Sequence, residues 1–517
     1  MHPSDPRETG TEQDIHWQPH QADFNEILYE QLRKTPWFMT SLVIHLVAFL
    51  ALGNLSFADI AKETKNRVEA KLDANDDEEL IDEPEDEIDP DEPEEVPIEE
   101  PDVEPVIRDD VETADNDSED EAPADQPYPG EQTNAAIGLG GGGGGGFGSR
   151  GSGRQGFERS YGGGGTSAIV EQGLDWLARH QTPEEGYWDA DGFQDRCSKN
   201  LCQGKGYPAY DPGVTGLALL AFLGAGHTHL AGQYKKNVGW AIKYLRRIQD
   251  PEGCFGTQTG HFMYSHACCT LAMAEAYGMS GSMLLRPSVE KALAFILKAQ
   301  NPNPSGTGKL AWRYTVQPGD NDTSVTGWVV MALKSAKAAG LDVPRSAFEG
   351  ARVWLDQMTD PATGRCGYVQ SGVSPARSSG REATWPLAKS EAITAVAMLT
   401  RVFIGEDPEK SVPIRKGVKL LLERLPTWNE GDGSIDHYYW YYGTLAMFQV
   451  TGVPWKKWNR AMKKAIIAHQ RKDGCEKGSW DPLGPWGEDG GRVYATALMT
   501  MCLEVYYRYP RVFVGDR

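Results

Sequence analysis

Six places along the C-terminal two-thirds of a 517-residue chain carry side chains able to bind or protonate a ligand: Asp211, His266, Asp322, Glu391 beside Lys389, Asp436 beside His437, and Arg492. Each place stands at or near the start of an apolar run. Aromatic residues accompany them, among them Tyr207, Tyr210, Tyr264, Trp328, Trp385, Tyr438, Trp440 and Tyr494. Polar groups that orient a ligand and aromatic walls that stack on it are what a binding cavity needs. Two carboxylates across such a cavity, Asp322 and Glu391 for instance, would also suit glycoside chemistry. Aromatic residues at helical spacing also fill cores, so the elements that carry these residues decide whether they meet.

The stretch Asp211-Pro-Gly-Val-Thr-Gly-Leu-Ala-Leu-Leu-Ala-Phe-Leu-Gly-Ala-Gly226 reads as a helix, with Asp211 at the N-cap, Pro212 in the first turn, and Gly224 and Gly226 as stop signals. It has no polar face, and such a helix is buried on all sides. Similar stretches, aligned on Thr215, Cys269, Thr326, Thr394, Gly443 and Ala495, recur at spacings of 54, 57, 68, 49 and 52 residues. That spacing holds two helices and their connections. The partners are amphipathic, with Lys and Arg on one side: Thr166 to His180, Tyr234 to Ile248, Ser288 to Ala299, Ala347 to Met358, Ile414 to Leu425 and Trp458 to Gln470. Several end in a Gln followed by a Gly and an aromatic, as in Gln181, Gly186 and Trp188. The Gly supplies a turn and the aromatic can fold back to pin the loop. Six hairpins of this kind predict an all-α fold, an (α/α)6 toroid with the apolar helices inside. If those helices run parallel, their N-termini bring six partial positive charges to one mouth.

The Gln-x-x-x-Gly-x-aromatic spacing followed by a Val-Thr-Gly-rich helix resembles the repeat of terpenoid cyclases and protein prenyltransferases, over roughly residues 166 to 510. The resemblance implies a toroid and, for the cyclases, an Asp-x-Asp-Asp motif that supplies a protonating acid. Its nearest match is Asp320-Asn-Asp322-Thr323, which makes Asp320 and Asp322 the catalytic candidates but leaves Thr323 where the last carboxylate belongs. Capping of a helix is a sufficient role for Asp322. The prenyltransferases hold zinc through Asp, Cys and His; the corresponding region offers Asp436 and His437 with no Cys nearby, so neither a metal nor a cofactor is expected.

Upstream lie a polar tail over residues 1–35, an apolar segment over 36–56 and a tether over 57–165. The run from Trp37 to Leu55 lacks Asp, Glu, Lys and Arg, and its length suffices to cross a bilayer core of about 30 Å. A signal peptide cleaved after Ala58 is the alternative. Ser41 and His45 share a helix face, and this pair resembles the anchor of TonB-family energy transducers, in which the span couples to a proton-driven motor complex. That resemblance implies a bacterial inner-membrane protein of one span with an extracytoplasmic C-terminal domain. The tether holds 28 acidic residues and one basic residue between Leu72 and Asp125, a net of −27, against −23 for the whole chain. The rest is therefore close to neutral, and no nucleic-acid partner is expected. Such a segment cannot assemble a core.

All eight cysteines lie beyond residue 190, and no pair has CxxC spacing. Cys197 and Cys202 flank a polar loop and could pair as a disulfide in an exported domain, whereas no Cys/His cluster reads as zinc. The functional expectation is a membrane-anchored ligand-binding or scaffold module. An isoprenoid cyclase-like enzyme acting on an apolar ligand is one alternative, and a glycan-active toroid another.

Overall fold

The structure, a computed structural model, describes residues 150, 158–198, 200–373, 377 and 380–513. Ser41, His45 and the apolar segment 36–56 lie outside them. Among the described residues, no helix is long and apolar enough to cross a membrane.

Among the described residues, twelve long helices alternate in character. The outer set is α1 (Ser167–Arg179), α3 (Lys235–Ile248), α5 (Arg286–Ala299), α7 (Arg345–Met358), α9 (Val412–Leu422) and α11 (Gly452–Ile467). The inner set is α2 (Asp211–Gly224), α4 (Phe262–Ser280), α6 (Thr323–Ala338), α8 (Ala392–Phe403), α10 (His437–Val450) and α12 (Gly487–Leu503). A short α13 (Val505–Arg508) follows α12. Each inner helix packs on the next and α12 returns to α2, which closes the ring; each outer helix backs the inner helix before it, with α1 backing α12. The expected (α/α)6 toroid is what forms. Its inner helices are buried almost all round, as helices without a polar face must be.

The Gln, Gly and aromatic signature acts at the joints between hairpins. Gln181 Nε2 donates to Gly186 O at 2.9 Å and to Asn237 O on the next outer helix at 2.9 Å. Gln249 and Gln300 repeat this bridge, and Gln470 carries it across the seam to Ile169 O of the first outer helix at 2.8 Å. The indoles of Trp188, Trp312 and Trp480 fold back so that each Nε1 donates to a carbonyl of the preceding outer helix, at 2.8 Å in every case. In four hairpins the loop N–H donates to an inner-helix threonine, Thr215, Thr326, Thr394 or Thr496. The functional counterpart in the last copy is thus Thr496, one residue beyond the Ala495 of the sequence register.

Two local expectations change. Asp211 is the first residue of α2 rather than its cap; Tyr210 precedes the helix, and the Asp211 carboxylate instead accepts from Ala190 N at 2.8 Å. The packed unit also begins before Thr166. Trp455 Nε1 donates to Tyr161 O and Asn459 Nδ2 to Gly162 O, and Arg150 is wholly buried against Glu275. Isolated charges and unpaired backbone groups could not be buried there, but ion pairs and hydrogen bonds allow it.

Candidate functional site: an aromatic cavity at the inner-helix N-termini

Residues at the N-terminal ends of all six inner helices line one cavity of about 410 Å³: Gly213 and Val214, Tyr264 and Ser265, Ser324, Ala392 and Ile393, Tyr438, and, just past the kink at Gly491 that divides α12, Tyr494. The six N-termini therefore do converge. The dipoles of these ends, two of them capped by Asp322 and Asp436, favour an anionic or electron-rich group at the mouth. Glycines make room for the convergence: a Cβ on Gly213 would stand 2.8 Å from Ser265 Oγ, and one on Gly216 3.0 Å from the Cys268 backbone.

The walls are aromatic and their hydroxyls are linked. Trp328 stacks on Tyr441 with centroids 5.5 Å apart and faces Tyr438 at 6.4 Å. Tyr438 and Ser324 share a hydrogen bond of 2.5 Å. Nearby, Tyr368 O–H lies 2.5 Å from Tyr314 O–H and 3.5 Å from Tyr264 O–H. His261 stacks on Tyr314 at 3.7 Å, with the Arg313 guanidinium 4.8 Å from the same ring centroid. Arg377 reaches the lining from a loop, ion-paired to Asp436 at 3.0 Å.

Asp322 lies just behind this tyrosine wall. It caps α6, with Oδ1 accepting from Val325 N at 2.7 Å, while Oδ2 has no hydrogen-bond partner among the described residues and its nearest guanidinium nitrogen, Arg313 Nε, is 3.9 Å away. Burial pushes the carboxyl up to about 7, against the opposing pull of the Val325 N–H, Arg313 and Tyr368. Asp320, its sequence companion, faces solvent and pairs with Arg313. The two do not form a paired acid.

Of the residues expected around a cavity, no polar one lines it, whereas Trp328 does. Asp211 sits behind the loop carrying Asp189 and Asp191; burial, and then their like charges, push it up to about 7. His266 accepts from Phe255 N at 3.2 Å, and burial lowers it to about 4. Glu391 is held by Arg365 through Nε and Nη2, at 3.1 and 2.6 Å. Asp436 caps α10 and holds Arg377. His437 and Trp440 pack with Trp428, and burial lowers His437 to about 3. Arg492 is tied to Glu476 at 3.0 Å and Asp481 at 2.6 Å. These polar side chains turn away from the axis because the loops and first turns beside them need partners. The aromatics Tyr210, Tyr264, Tyr438 and Tyr494 do reach the cavity. Sequence reasoning missed Tyr314, Tyr368, His261, Trp486 and Arg377. Those on connecting segments lie outside any helical period.

The expected disulfide does not form either: Cys197 and Cys202 are free thiols. They lie with His180 and Cys475 in a cluster whose ligand atoms all fall within 4.8 Å of one another. Spacing along the chain could not reveal it, since Cys475 is 295 residues from His180.

A ring of six hairpins around an aromatic cavity defines an α/α toroid with a site at its N-terminal mouth. No family and no curated protein matches the sequence. Among solved structures, the chain is similar to an α-1,6-mannanase from Salegentibacter sp., at 10% identity and a TM-score of 0.44 over 66% of this chain and 98% of that one. It is similar to a type II terpene cyclase from Scytonema, at 14% identity and a TM-score of 0.41 over 66% and 97%. A cellobiose 2-epimerase from Spirochaeta thermophila matches at 13% identity and a TM-score of 0.46 over 69% and 98%.

Proposed function

We propose that the toroid is a ligand-binding module whose mouth takes a small molecule with a ring-shaped or apolar body and an anionic or hydroxylated end. One observation carries this reading: helix N-termini, tyrosine hydroxyls and stacking rings share a cavity of about 410 Å³. That volume falls in the range of small-molecule sites. Asp489 in the described lining pairs with Arg381, and Glu391 with Arg365; a glycan-active toroid is a further reading, since hydroxyls beside stacking rings also suit a sugar.

A second reading rests on Asp322. A buried carboxyl with one unpartnered oxygen, behind the linked hydroxyls of Tyr368, Tyr314 and Tyr264, could deliver a proton through them to an apolar substrate, as the resemblance to the cyclases implies. For the full chain we propose the single-span, inner-membrane anchor read from residues 36–56, with Ser41 and His45 contacting a TonB-type partner complex.

Titration of the full chain with a prenyl diphosphate series and a linear oligosaccharide series, read by tryptophan fluorescence, tests the binding reading. Saturable quenching by one series, lost in Trp328→Ala but kept in Trp440→Phe, supports it. No saturable response to either series contradicts it. Conversion of the bound probe by wild type but not by Asp322→Asn would favour the acid reading.

A further inference from the structure

We propose that His180, Cys197, Cys202 and Cys475 bind a zinc ion that staples the first helical hairpin to the last. His180 Nε2 stands 3.7 Å from Cys197 Sγ, 3.5 Å from Cys202 Sγ and 3.3 Å from Cys475 Sγ. A tetrahedral zinc with Zn–S of about 2.3 Å and Zn–N of about 2.0–2.1 Å would set such a nitrogen about 3.5 Å from each sulfur. The observed separations bracket that value.

The imidazole is oriented for the task. Its Nδ1 lies 2.8 Å from Trp176 O, and a carbonyl can only accept, so Nδ1 carries the proton. In the neutral ring this leaves the Nε2 lone pair facing the three sulfurs, the arrangement in which an outer hydrogen bond fixes a ligand's tautomer. Stacking on Trp176, with centroids 4.2 Å apart, holds the ring plane. His180 and Cys202 are fully buried and Cys475 nearly so. Without an ion, three thiols, weak donors all, would crowd round one acceptor nitrogen. Three sulfurs and one nitrogen are a donor set that selects zinc over oxygen-seeking cations.

The position in the fold gives the ion a role. His180 closes α1, Cys197 and Cys202 lie in the first inter-helix loop, and Cys475 lies in the last such loop. The first and last hairpins meet here, where Gln470 already bridges to Ile169 and Gln203 N donates to Glu476 Oε1 at 2.9 Å. None of the four lines the aromatic cavity. Four protein ligands leave no open coordination position, so the ion is structural rather than catalytic.

Elemental analysis of the full chain, purified with reductant and without added metal, should find about one zinc per chain. Cobalt(II) exchanged into the protein should give the intense visible bands of a tetrahedral thiolate site together with thiolate-to-cobalt charge transfer. Cys475→Ser and His180→Ala should lose metal and melt at lower temperature, whereas Cys268→Ser, a core cysteine outside the cluster, should keep its zinc. A strong chelator should lower the melting temperature of wild type and of Cys268→Ser, and leave that of Cys475→Ser and His180→Ala unchanged. Folded protein without zinc that gains no tetrahedral cobalt spectrum on reconstitution, or that carries a Cys197–Cys202 disulfide, would overturn the assignment, whether or not the variants fold.

Discussion

The two ends of the barrel are built from the same six helices and fill their space differently. At the N-terminal end the lining is mostly tyrosine, tryptophan and serine around open volume, with Arg377 and Asp489, each ion-paired, at its edge, and Asp322, just behind it, keeps one oxygen unpartnered. At the C-terminal end the space is filled by paired charge. Arg508 donates to Leu220 O at 2.8 Å and pairs with Glu504 at 3.0 Å and Glu275 at 3.2 Å. Arg150 reaches Glu275 at 2.7 Å, and Tyr509 O–H donates to Glu275 Oε1 at 2.5 Å. The following chain lies over neighbouring helix ends, with Tyr509 against Phe403 and Gln449 Nε2 donating to Pro510 O at 3.1 Å. Guanidiniums there complement the negative ends of the helices. A closed base lets the barrel stand without its axis being filled from the mouth, so the vacancy at the mouth is available for a ligand.

The largest expected break in this contrast comes from the base. Glu275→Gln leaves Arg150 and Arg508 buried without their shared carboxylate, and removal of one partner from such a group costs about 3–5 kcal/mol. Urea unfolding of the variant should show that loss, while quenching by the mouth ligand stays unchanged in the folded fraction. Burial alone would raise Glu275, but Arg150 and Arg508 hold it below the usual carboxylate range. Its stabilisation is therefore present above the unfolded value and lost as pH falls.

Acid also tests the helix-start histidines. His266 at about 4 and His437 at about 3 are held neutral by burial, below the ordinary 6.5. Their contribution is complete above pH 6.5 and is lost as pH falls through the folded values, by on the order of 3 kcal/mol each near pH 4. His266→Gln and His437→Gln should flatten the acid limb of the stability curve without changing ligand affinity at pH 7. A change in affinity instead would return these side chains to the cavity.

Much of the fold was legible in the sequence, and little of the site. Inner helices such as α2 announce themselves because a helix lacking a polar face has one place to go. The joints were legible through Gln181, Gly186 and Trp188, each residue type suited to a bridge, a turn or a pin. The polar ring failed because position along a helix does not fix direction around it: His266 and Glu391 stand at the right height and face away from the axis. Tyr314 and Tyr368 come from loops whose course no period encodes. His180 and Cys475 meet only when the ring closes.

Smaller effects sharpen the roles at the mouth. Asp322→Asn keeps the cap and removes a carboxyl raised to about 7. Wild type loses stability through this group as pH rises from its unfolded value through 7, because the folded chain favours the protonated form; the Asn variant should not. Asp322→Ala should melt lower than Asn, by about 1 kcal/mol of cap. Tyr438→Phe removes the hydrogen bond with Ser324, at about 0.5–1 kcal/mol, and should weaken ligand quenching more than it weakens the fold.

Hydroxyl-radical footprinting of the full chain, with and without a saturating amount of whichever probe series quenches, addresses the ligand site directly. Protection should concentrate on Tyr210, Tyr264, Tyr314, Tyr368 and Tyr494 at the mouth, with Tyr509 at the base unchanged. Protection spread over the outer helices, or confined to the base, would contradict a ligand site at the inner-helix N-termini.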